Sequence, residues 1–424
     1  MWCKRLIGCL LVVCSSLSLW ANGTLRIVSY NVENLFDHRH DTLKQDLEFT
    51  PEGDRHWTYR RYQAKVERIA QVLVSVGGWQ ESLMPGADPS AVPALVGLCE
   101  VENDRCLRSL CGQLRRYHYR YVHYESPDAR GIDVALLYDS TRVRILRSEP
   151  LHIDLLSDAT RDILYAESVV FSADTSHPAD TLHLFVCHLP SQFGGAAATA
   201  WKRQAAKQVL QSHIDSLLTA RPQARIVVMG DMNAEPLNDL TGMTNLMYHN
   251  PLSPLHPKST APPSAAHRDY AETISGEHQD HAAPTSTAYQ NNVAPTSGQR
   301  RKHIDQTSGA HQDHPNPNPN ESQDHDAHDT SVHGIEVISS YFPKQTSSHY
   351  IAGTHKYNGL WSYLDQFYIS ESLLEAVSVS VFAPDWLLEE DTKYLGIKPK
   401  RTFVGYRYQD AYSDHLPIVL QITL

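Results

Sequence analysis

Val227-Val228-Met229-Gly230-Asp231-Met232-Asn233 is an apolar run that stops on Asp-x-Asn. A second block, Ser413-Asp414-His415-Leu416-Pro417-Ile418-Val419, sets an Asp-His pair just ahead of another apolar run. Each block places polar groups at the end of a strand, where the active sites of sheet enzymes collect. Together they supply two carboxylates, a carboxamide and an imidazole. Such a set can hold a divalent cation and still leave an acid or a base for hydrolysis.

Working outward, strand-like runs recur at Leu25 to Tyr30, Ala94 to Cys99, Tyr119 to His123, Val134 to Tyr138, Leu182 to Cys187, Gln366 to Ile369 and Ile418 to Ile422. Helical patterns fall between several of them, at Tyr62 to Val76 and Trp201 to Leu218. The first of these puts Val66, Ile69, Ala70 and Leu73 on one face. Strands and helices in this alternation predict layered α/β structure with one composite site at a sheet edge.

The chain has 424 residues, enough for roughly two to three domains of about 150 residues each. Non-globular segments reduce that count. Residues 1–21 read as a secretory signal: Lys4 and Arg5 lead the apolar run Leu6 to Val13, and Leu19-Trp20-Ala21 is a passable cleavage site. The apolar run is shorter than the roughly 20 residues that span a bilayer. Cys9 and Cys14 resemble lipoprotein processing sites only loosely. Export to the periplasm or the medium is therefore expected, ahead of a lipid anchor. Residues 249–333 are rich in Pro, Ser, Asn, Asp and His and poor in large apolar residues, so they read as a disordered insertion. Small repeats run through it, such as His278-Gln279-Asp280-His281 and His311-Gln312-Asp313-His314. A solvated tether is the plain account of it; loose Zn²⁺ or Ni²⁺ binding is the alternative. The remainder, residues 22–424, reads as one catalytic domain.

Outside the leader the cysteines are Cys99, Cys106, Cys111 and Cys187, too few to frame a chain of this length with disulfides. Cys99 and Cys187 sit inside apolar strand patterns and read as buried thiols. The net charge is −11 with His neutral, which argues against a long basic face for duplex DNA. It does not exclude phosphate binding, because an acidic site loaded with cations can still take phosphate. Arg115, Arg116 and Arg120 with Tyr117, Tyr119 and Tyr121 form the densest basic-aromatic stretch, and an exposed connecting segment accounts for it.

The candidate residues are scattered through the sequence but share one signature. Asn31 and Glu33 follow the first strand, and Glu100 and Glu102 follow Leu95-Val96-Gly97-Leu98-Cys99. His188 follows Leu184-Phe185-Val186-Cys187, Asp365 precedes Gln366-Phe367-Tyr368-Ile369, and Asp414-His415 precede the last strand. Each alone has a plain explanation as a turn, a cap or a core histidine. Chance is a poor account of polar residues at so many strand ends.

In this order, Ser29-Tyr30-Asn31-Val32-Glu33, Cys99-Glu100-Val101, Cys187-His188-Leu189-Pro190, Gly230-Asp231-Met232-Asn233, Leu364-Asp365-Gln366 and Ser413-Asp414-His415-Leu416-Pro417 resemble the endonuclease/exonuclease/phosphatase superfamily, the family of DNase I. Arg130-Gly131-Ile132-Asp133, Thr160-Arg161-Asp162 and Arg401-Thr402-Phe403 look like a secreted bacterial branch of it. The resemblance implies a four-layer α/β sandwich: two packed mixed β-sheets flanked by helices. It also implies phosphoester hydrolysis by in-line attack of water with Mg²⁺ or Mn²⁺. By motif, Glu100 would be the principal metal ligand, supported by Glu33, Asn31 and Asp414. Asp231 would orient or deprotonate the water, and Asn233 would hold a phosphate oxygen. His415 would bind or protonate the phosphate with Asp365 fixing its ring, and His188 would donate a further hydrogen bond. Arg130 and Arg161 are weaker candidates for phosphate contact.

Three departures from the family pattern stand out: the His188 strand has Cys187 before the histidine and Gln192 where Arg is common, Ala234 follows Asn233, and a long loop lies between Asn233 and Asp365. The expected function is a secreted, Mg²⁺-dependent endonuclease acting as a monomer on nucleic acid. The first alternative is the same core acting on a lipid or small phosphoester, for which Trp386-Leu387-Leu388 offers membrane contact unless it is a packed turn. An alternative of another class is a non-catalytic surface protein that binds metal or a partner.

Overall fold

The computed structural model describes residues 24–79, 92–156, 158–171, 180–235, 240–247 and 351–423. All lie in one compact unit comprising residues 1–255 and 338–424. The leader at 1–21 and the stretch 249–333 lie outside the described residues. In chain order the elements are β1 (Thr24–Leu35), α1 (Tyr59–Trp79), β2 (Leu95–Val101), α2 (Asp104–Gln113), β3 (Tyr119–His123), β4 (Asp133–Asp139), β5 (Val143–Leu151), β6 (Ile163–Val170), β7 (Asp180–His188), α3 (Ala196–Ala220), β8 (Arg225–Asp231) and β9 (Met243–Asn245). The last part adds β10 (His355–Tyr357), β11 (Leu360–Ser362), β12 (Asp365–Ser370), β13 (Val377–Val381), β14 (Leu388–Glu390), β15 (Ile397–Pro399), β16 (Phe403–Val404), β17 (Arg407–Tyr408) and β18 (Ile418–Thr423).

Two six-stranded sheets carry the fold, ordered β13-β18-β1-β2-β4-β3 and β5-β6-β7-β8-β12-β9. Each sheet has one parallel pair near its centre, β1 with β2 and β7 with β8, and its other pairs are antiparallel. A helix joins the strands of each parallel pair, α1 in the first and α3 in the second, because parallel neighbours need a crossover. The C-terminal ends of these two pairs carry Glu33, Glu100, His188 and Asp231.

The side-chain period of two sorts the core. Leu184, Val186, Val227 and Met229 face the first sheet, while Phe185, Cys187, Ile226 and Val228 face α3 and its stripe Ala206, Leu210 and Ile214. The inner face of the first sheet meets them, and its outer face receives α1 through Tyr62, Val66, Ile69 and Leu73. The layers are therefore helix, sheet, sheet, helix, the four-layer sandwich expected. Close packing between the sheets shows at Gly97 in β2, where a Cβ would stand 2.9 Å from Met229 Sδ. Among the described residues no helix is long and apolar enough to cross a membrane.

The expected strands and both expected helices are present, mostly longer by a few residues. Asn31 and Glu33 lie inside β1 rather than after it. Edge strands β5 and β13, strand β6 and helix α2 have no counterpart in the sequence reading. Helix α2 is capped by Asn103, whose Oδ1 accepts from Cys106 N at 3.1 Å. Leu387 and Leu388 are buried and Trp386 packs edge-on to Phe382 and tilted against Tyr412, so that segment is a packed turn.

Candidate active site

Two β-bulges aim the acidic residues. Pairing of β1 with β2 breaks between Asn31 and Leu35, and pairing of β2 with β4 breaks between Cys99 and Val101. Within the breaks Glu33, Asn34 and Glu100 take positive φ values of 52°, 57° and 66°. Non-glycine residues persist there only when their surroundings hold them, and such strain collects at functional sites. The hold is visible: Asn34 N donates to Glu100 Oε2 at 2.8 Å, and Glu33 N donates to Asn31 Oδ1 at 3.0 Å.

The second sheet delivers its residues by register. Asp231 at the end of β8 pairs with His188 on one side and with Asp365 on the other, so the three sit in one row across β7, β8 and β12. Gly230 has φ 138°, and a Cβ there would lie 1.8 Å from Cys187 O. Only glycine lets β7 and β8 approach this closely just before Asp231. Beyond it Asn233, at φ 47°, donates its N–H to Asp231 Oδ1 at 2.8 Å.

The sheets meet at Asp231. Asn31 Nδ2 donates to Asp231 Oδ2 at 3.0 Å, while His188 Nε2 and His415 Nε2 stand 3.6 and 3.9 Å from the same oxygen. His415 Nδ1 hydrogen-bonds to Asp365 Oδ2 at 2.7 Å. Ser413 Oγ donates to Asn31 O at 2.7 Å and accepts from His415 N at 3.1 Å, tying the approach to β18 onto β1. The structure therefore brings together all nine candidates: Asn31, Glu33, Glu100, His188, Asp231, Asn233, Asp365, Asp414 and His415.

Burial and charge split their protonation. Burial opposes the charge on His415, but Asp365, Asp231 and Asp414 outweigh it and hold the ring well above the ordinary histidine range. Burial pushes His188 well below that range, with help from Arg161 and Arg130. Asp231 rises to about 7, chiefly through burial. Glu33 also rises to about 7, through burial and then the neighbouring Asp414. Burial would raise Asp414, but His415, Arg401 and His355 hold it below the usual range. A cationic histidine, a neutral histidine and a carboxylate poised near neutrality is the separation that acid–base chemistry needs.

The acidic cluster fits a hard divalent cation. Asp414 adds to burial in lifting Glu33, and the donors of the cluster are carboxylate and amide oxygens. The hydrogen bonds engage Glu100 Oε2 and Asp414 Oδ2 and leave Glu100 Oε1 and Asp414 Oδ1 for a ligand. Glu33 is more committed: Thr402 N and Phe403 N donate to its two oxygens at 2.6 and 3.4 Å. A second group, His123, Glu125 and Asp133, brings one ligand atom from each within 4.8 Å of one another. There Asp133 already accepts from Ser126 N at 3.0 Å and pairs with His123 Nε2 at 3.2 Å.

Several expectations change. Glu102 turns away from the cluster and accepts from Asp37 N at 2.6 Å, because the bulge at Glu100 breaks the alternation that would have aligned the two glutamates. Arg161 is a buried strut: it donates to His188 O, Leu189 O and Asp128 Oδ2 at 3.3, 2.9 and 3.0 Å. Arg130 is exposed beside Asp128. Gln192 Nε2 donates to Asn233 O at 2.9 Å.

Three site residues escaped the sequence reading. His355 in β10 lies with its ring centroid 4.6 Å from that of His415 and its Nε2 4.0 Å from Asp414 Oδ2. Lys65, buried on α1, donates to Thr402 Oγ1 and Tyr412 O beneath the acids; burial first, then its neighbours, set it at about 8. Arg401 stands on Asp414 at 2.8 Å, and only its Thr402-Phe403 neighbourhood offered a signal.

The chain matches the Endonuclease/Exonuclease/phosphatase family over residues 26–247 and 307–424. Among solved structures it is similar to an endonuclease/exonuclease/phosphatase family protein from Bacteroides thetaiotaomicron, with 10% identity, 94% of this chain and 98% of that chain covered, and a TM-score of 0.44. It is also similar to humanized D. rerio TDP2, with 12% identity, 95% and 99% covered and a TM-score of 0.44. A third is the human Nocturnin catalytic domain with bound sulfate, with 12% identity, 94% and 93% covered and a TM-score of 0.41. No curated protein matches the chain. The family match spans most of the chain, and the protein belongs to the endonuclease/exonuclease/phosphatase family of phosphoester-hydrolysing enzymes.

Proposed function

We propose that the protein is an exported, Mg²⁺-dependent endonuclease that hydrolyses phosphodiester bonds of nucleic acid. The observation that carries the chemistry is Asp231: a buried carboxylate set between a neutral His188 and a His415 paired with Asp365. Asp231, held by Asn31 and Asn233, takes a proton from water as that water attacks phosphorus. The bond from phosphorus to the leaving oxygen breaks, and His415, charged by Asp365, delivers a proton to that oxygen. His188 offers an N–H to a non-bridging oxygen, and Asn233 approaches another. A divalent cation held by Glu100 and Asp414, with Asn31 and Glu33 around it, would supply positive charge for the phosphate.

The endonuclease choice rests on the family match taken together with the acidic cluster beside the Asp365–His415 pair. Export rests on the pattern of residues 1–21. A lipid or small phosphoester is the second reading, favoured by Phe193, which is 93% exposed one residue beyond Gln192. The test is a panel of plasmid DNA, RNA, sphingomyelin and inositol phosphates incubated with purified protein in Mg²⁺ or in EDTA. Nicking of plasmid or cleavage of RNA that EDTA stops is the expected result. Turnover of lipid or inositol phosphate alone would transfer the conclusion to the second reading.

A further inference from the structure

Among the described residues, Arg401 is a cation at this site to which the reaction above gives no role. Its Nη2 donates to Asp414 Oδ2 at 2.8 Å, and its Nε stands 3.7 Å from Glu33 Oε1, beyond hydrogen-bond range. The side chain is 37% exposed, so the guanidinium is held from one side and open on another. Asp414 adjoins His415, which places Arg401 on the wall that carries the acid of the reaction.

Two plain accounts of Arg401 fall short. The first is that it only neutralises the acids. Lys65 already does so from beneath, with its ammonium fixed by Thr402 and Tyr412. The second is that another arginine serves the phosphate. Arg161 is used up as a strut under His188 and Leu189, Arg130 sits by Asp128, and position 192 holds a glutamine that donates to Asn233 O. Glu33 is held in turn by the N–H groups of Thr402 and Phe403, the residues that follow Arg401. One acid thus anchors both the strained turn of β1 and the segment that presents the guanidinium.

We propose that Arg401 is a phosphate-binding residue of this site, gripping a non-bridging oxygen of the substrate phosphate while Asp414 and Glu33 hold its guanidinium in place. A guanidinium suits the task because its planar fork of donors matches phosphate geometry and stays charged. The proposal deepens the phosphoesterase reading and rests on it. It also casts Glu33 as a holder of Arg401 more than as a metal ligand.

The experiment is calorimetric titration of the full chain with inorganic phosphate in EDTA, so that no metal contributes, for the wild type, Arg401→Gln and Arg401→Lys. Thermal melts run alongside to check folding. Wild type is expected to bind phosphate. Arg401→Gln is expected to weaken that binding about tenfold or more, the loss typical of a charge-assisted hydrogen bond. Arg401→Lys should recover part of it, since the charge returns without the fork. With a phosphodiester substrate in Mg²⁺, Arg401→Gln should raise KM more than it lowers kcat. Phosphate affinity unchanged in both variants, or no phosphate binding by the wild type, overturns the proposal. Should Arg401→Gln unfold, Arg401→Lys is read alone against the same two outcomes. Phosphate binding that depends on Arg401, in a protein that cuts no nucleic acid, supports the proposal and removes the endonuclease reading instead.

Discussion

The two sheets build their halves of the site by opposite means. The first sheet bends its backbone: β1 and β2 each carry a bulge, and Glu33, Asn34 and Glu100 sit at positive φ to bring carboxylates inward. The second keeps the β7–β8 and β8–β12 ladders regular and lets register align His188, Asp231 and Asp365, with one glycine, Gly230, at the point of closest approach. The difference follows the chemistry. A cluster of like charges must be forced together, and strain at Glu33 and Glu100 is part of that cost. An acid–base row needs exact spacing along a strand edge, which unbroken pairing provides.

The contrast breaks hardest at Gly230. Gly230→Ala would drive a Cβ into Cys187 O, and a loss of about 4 kcal/mol or more is expected, the range of severe backbone clashes. Denaturant melts measure it; a loss under about 1 kcal/mol would mean β7 and β8 can part freely.

Next in size is Asp365→Asn, which removes the partner of His415 Nδ1. Activity should fall by about 10²-fold or more. The pH profile carries the sign. His415 owes its raised proton affinity to Asp365, Asp231 and Asp414, so its charged form persists to higher pH in the wild type. In the variant the alkaline limb should move to lower pH. The acid limb belongs to Asp231, which must be ionised to act and whose carboxyl burial raises to about 7 in the metal-free protein. An unmoved alkaline limb in Asp365→Asn would detach His415 from that role.

Glu102 tests the boundary of the acidic half. Burial, then Asp37, lifts it to about 8 from 4.5. A raised carboxyl binds its proton more tightly in the folded chain, so stability is present at low pH and is lost as pH rises from about 4.5 towards 8. Glu102→Gln mimics the protonated form. It should leave stability near pH 4 unchanged and raise it above pH 8 by on the order of 1–3 kcal/mol. Equal stability of the two proteins at both pH values would contradict that placement.

The smallest effect is expected at Asn34, the mirror image of Gly230. Asn34→Gly relieves a positive φ but loosens the unfolded chain, and the two should cancel to within about 1 kcal/mol. A cost above about 2 kcal/mol would show that the asparagine side chain, not the backbone turn, supports Glu100.

What the sequence made legible follows the same division. Apolar strands ending in a polar residue, such as β2, β7 and β8, announce themselves through local composition, and the second half of the site was readable from them. Edge strand β5 was not, since its exposed Arg144 and Arg147 and half-buried Glu149 dilute the pattern and Pro150 argues against a strand. The bulges were not readable either, so Glu102 looked equivalent to Glu100. Lys65, His355 and Arg401 reach the site from a helix, a short hairpin and a connecting segment, and no spacing in the chain predicts such long-range meetings. Arg161 shows the reverse error: a motif arginine that the fold uses to brace His188 O and Leu189 O.

The most direct test of the central claim compares plasmid nicking by the wild type and Asp231→Asn across a Mg²⁺ titration. Nicking that requires Mg²⁺ in the wild type, and falls by about 10²–10⁴-fold in a folded Asp231→Asn protein at every Mg²⁺ concentration, is the predicted result. Nicking by Asp231→Asn at the wild-type rate, or nicking by the wild type undiminished in EDTA, would contradict it.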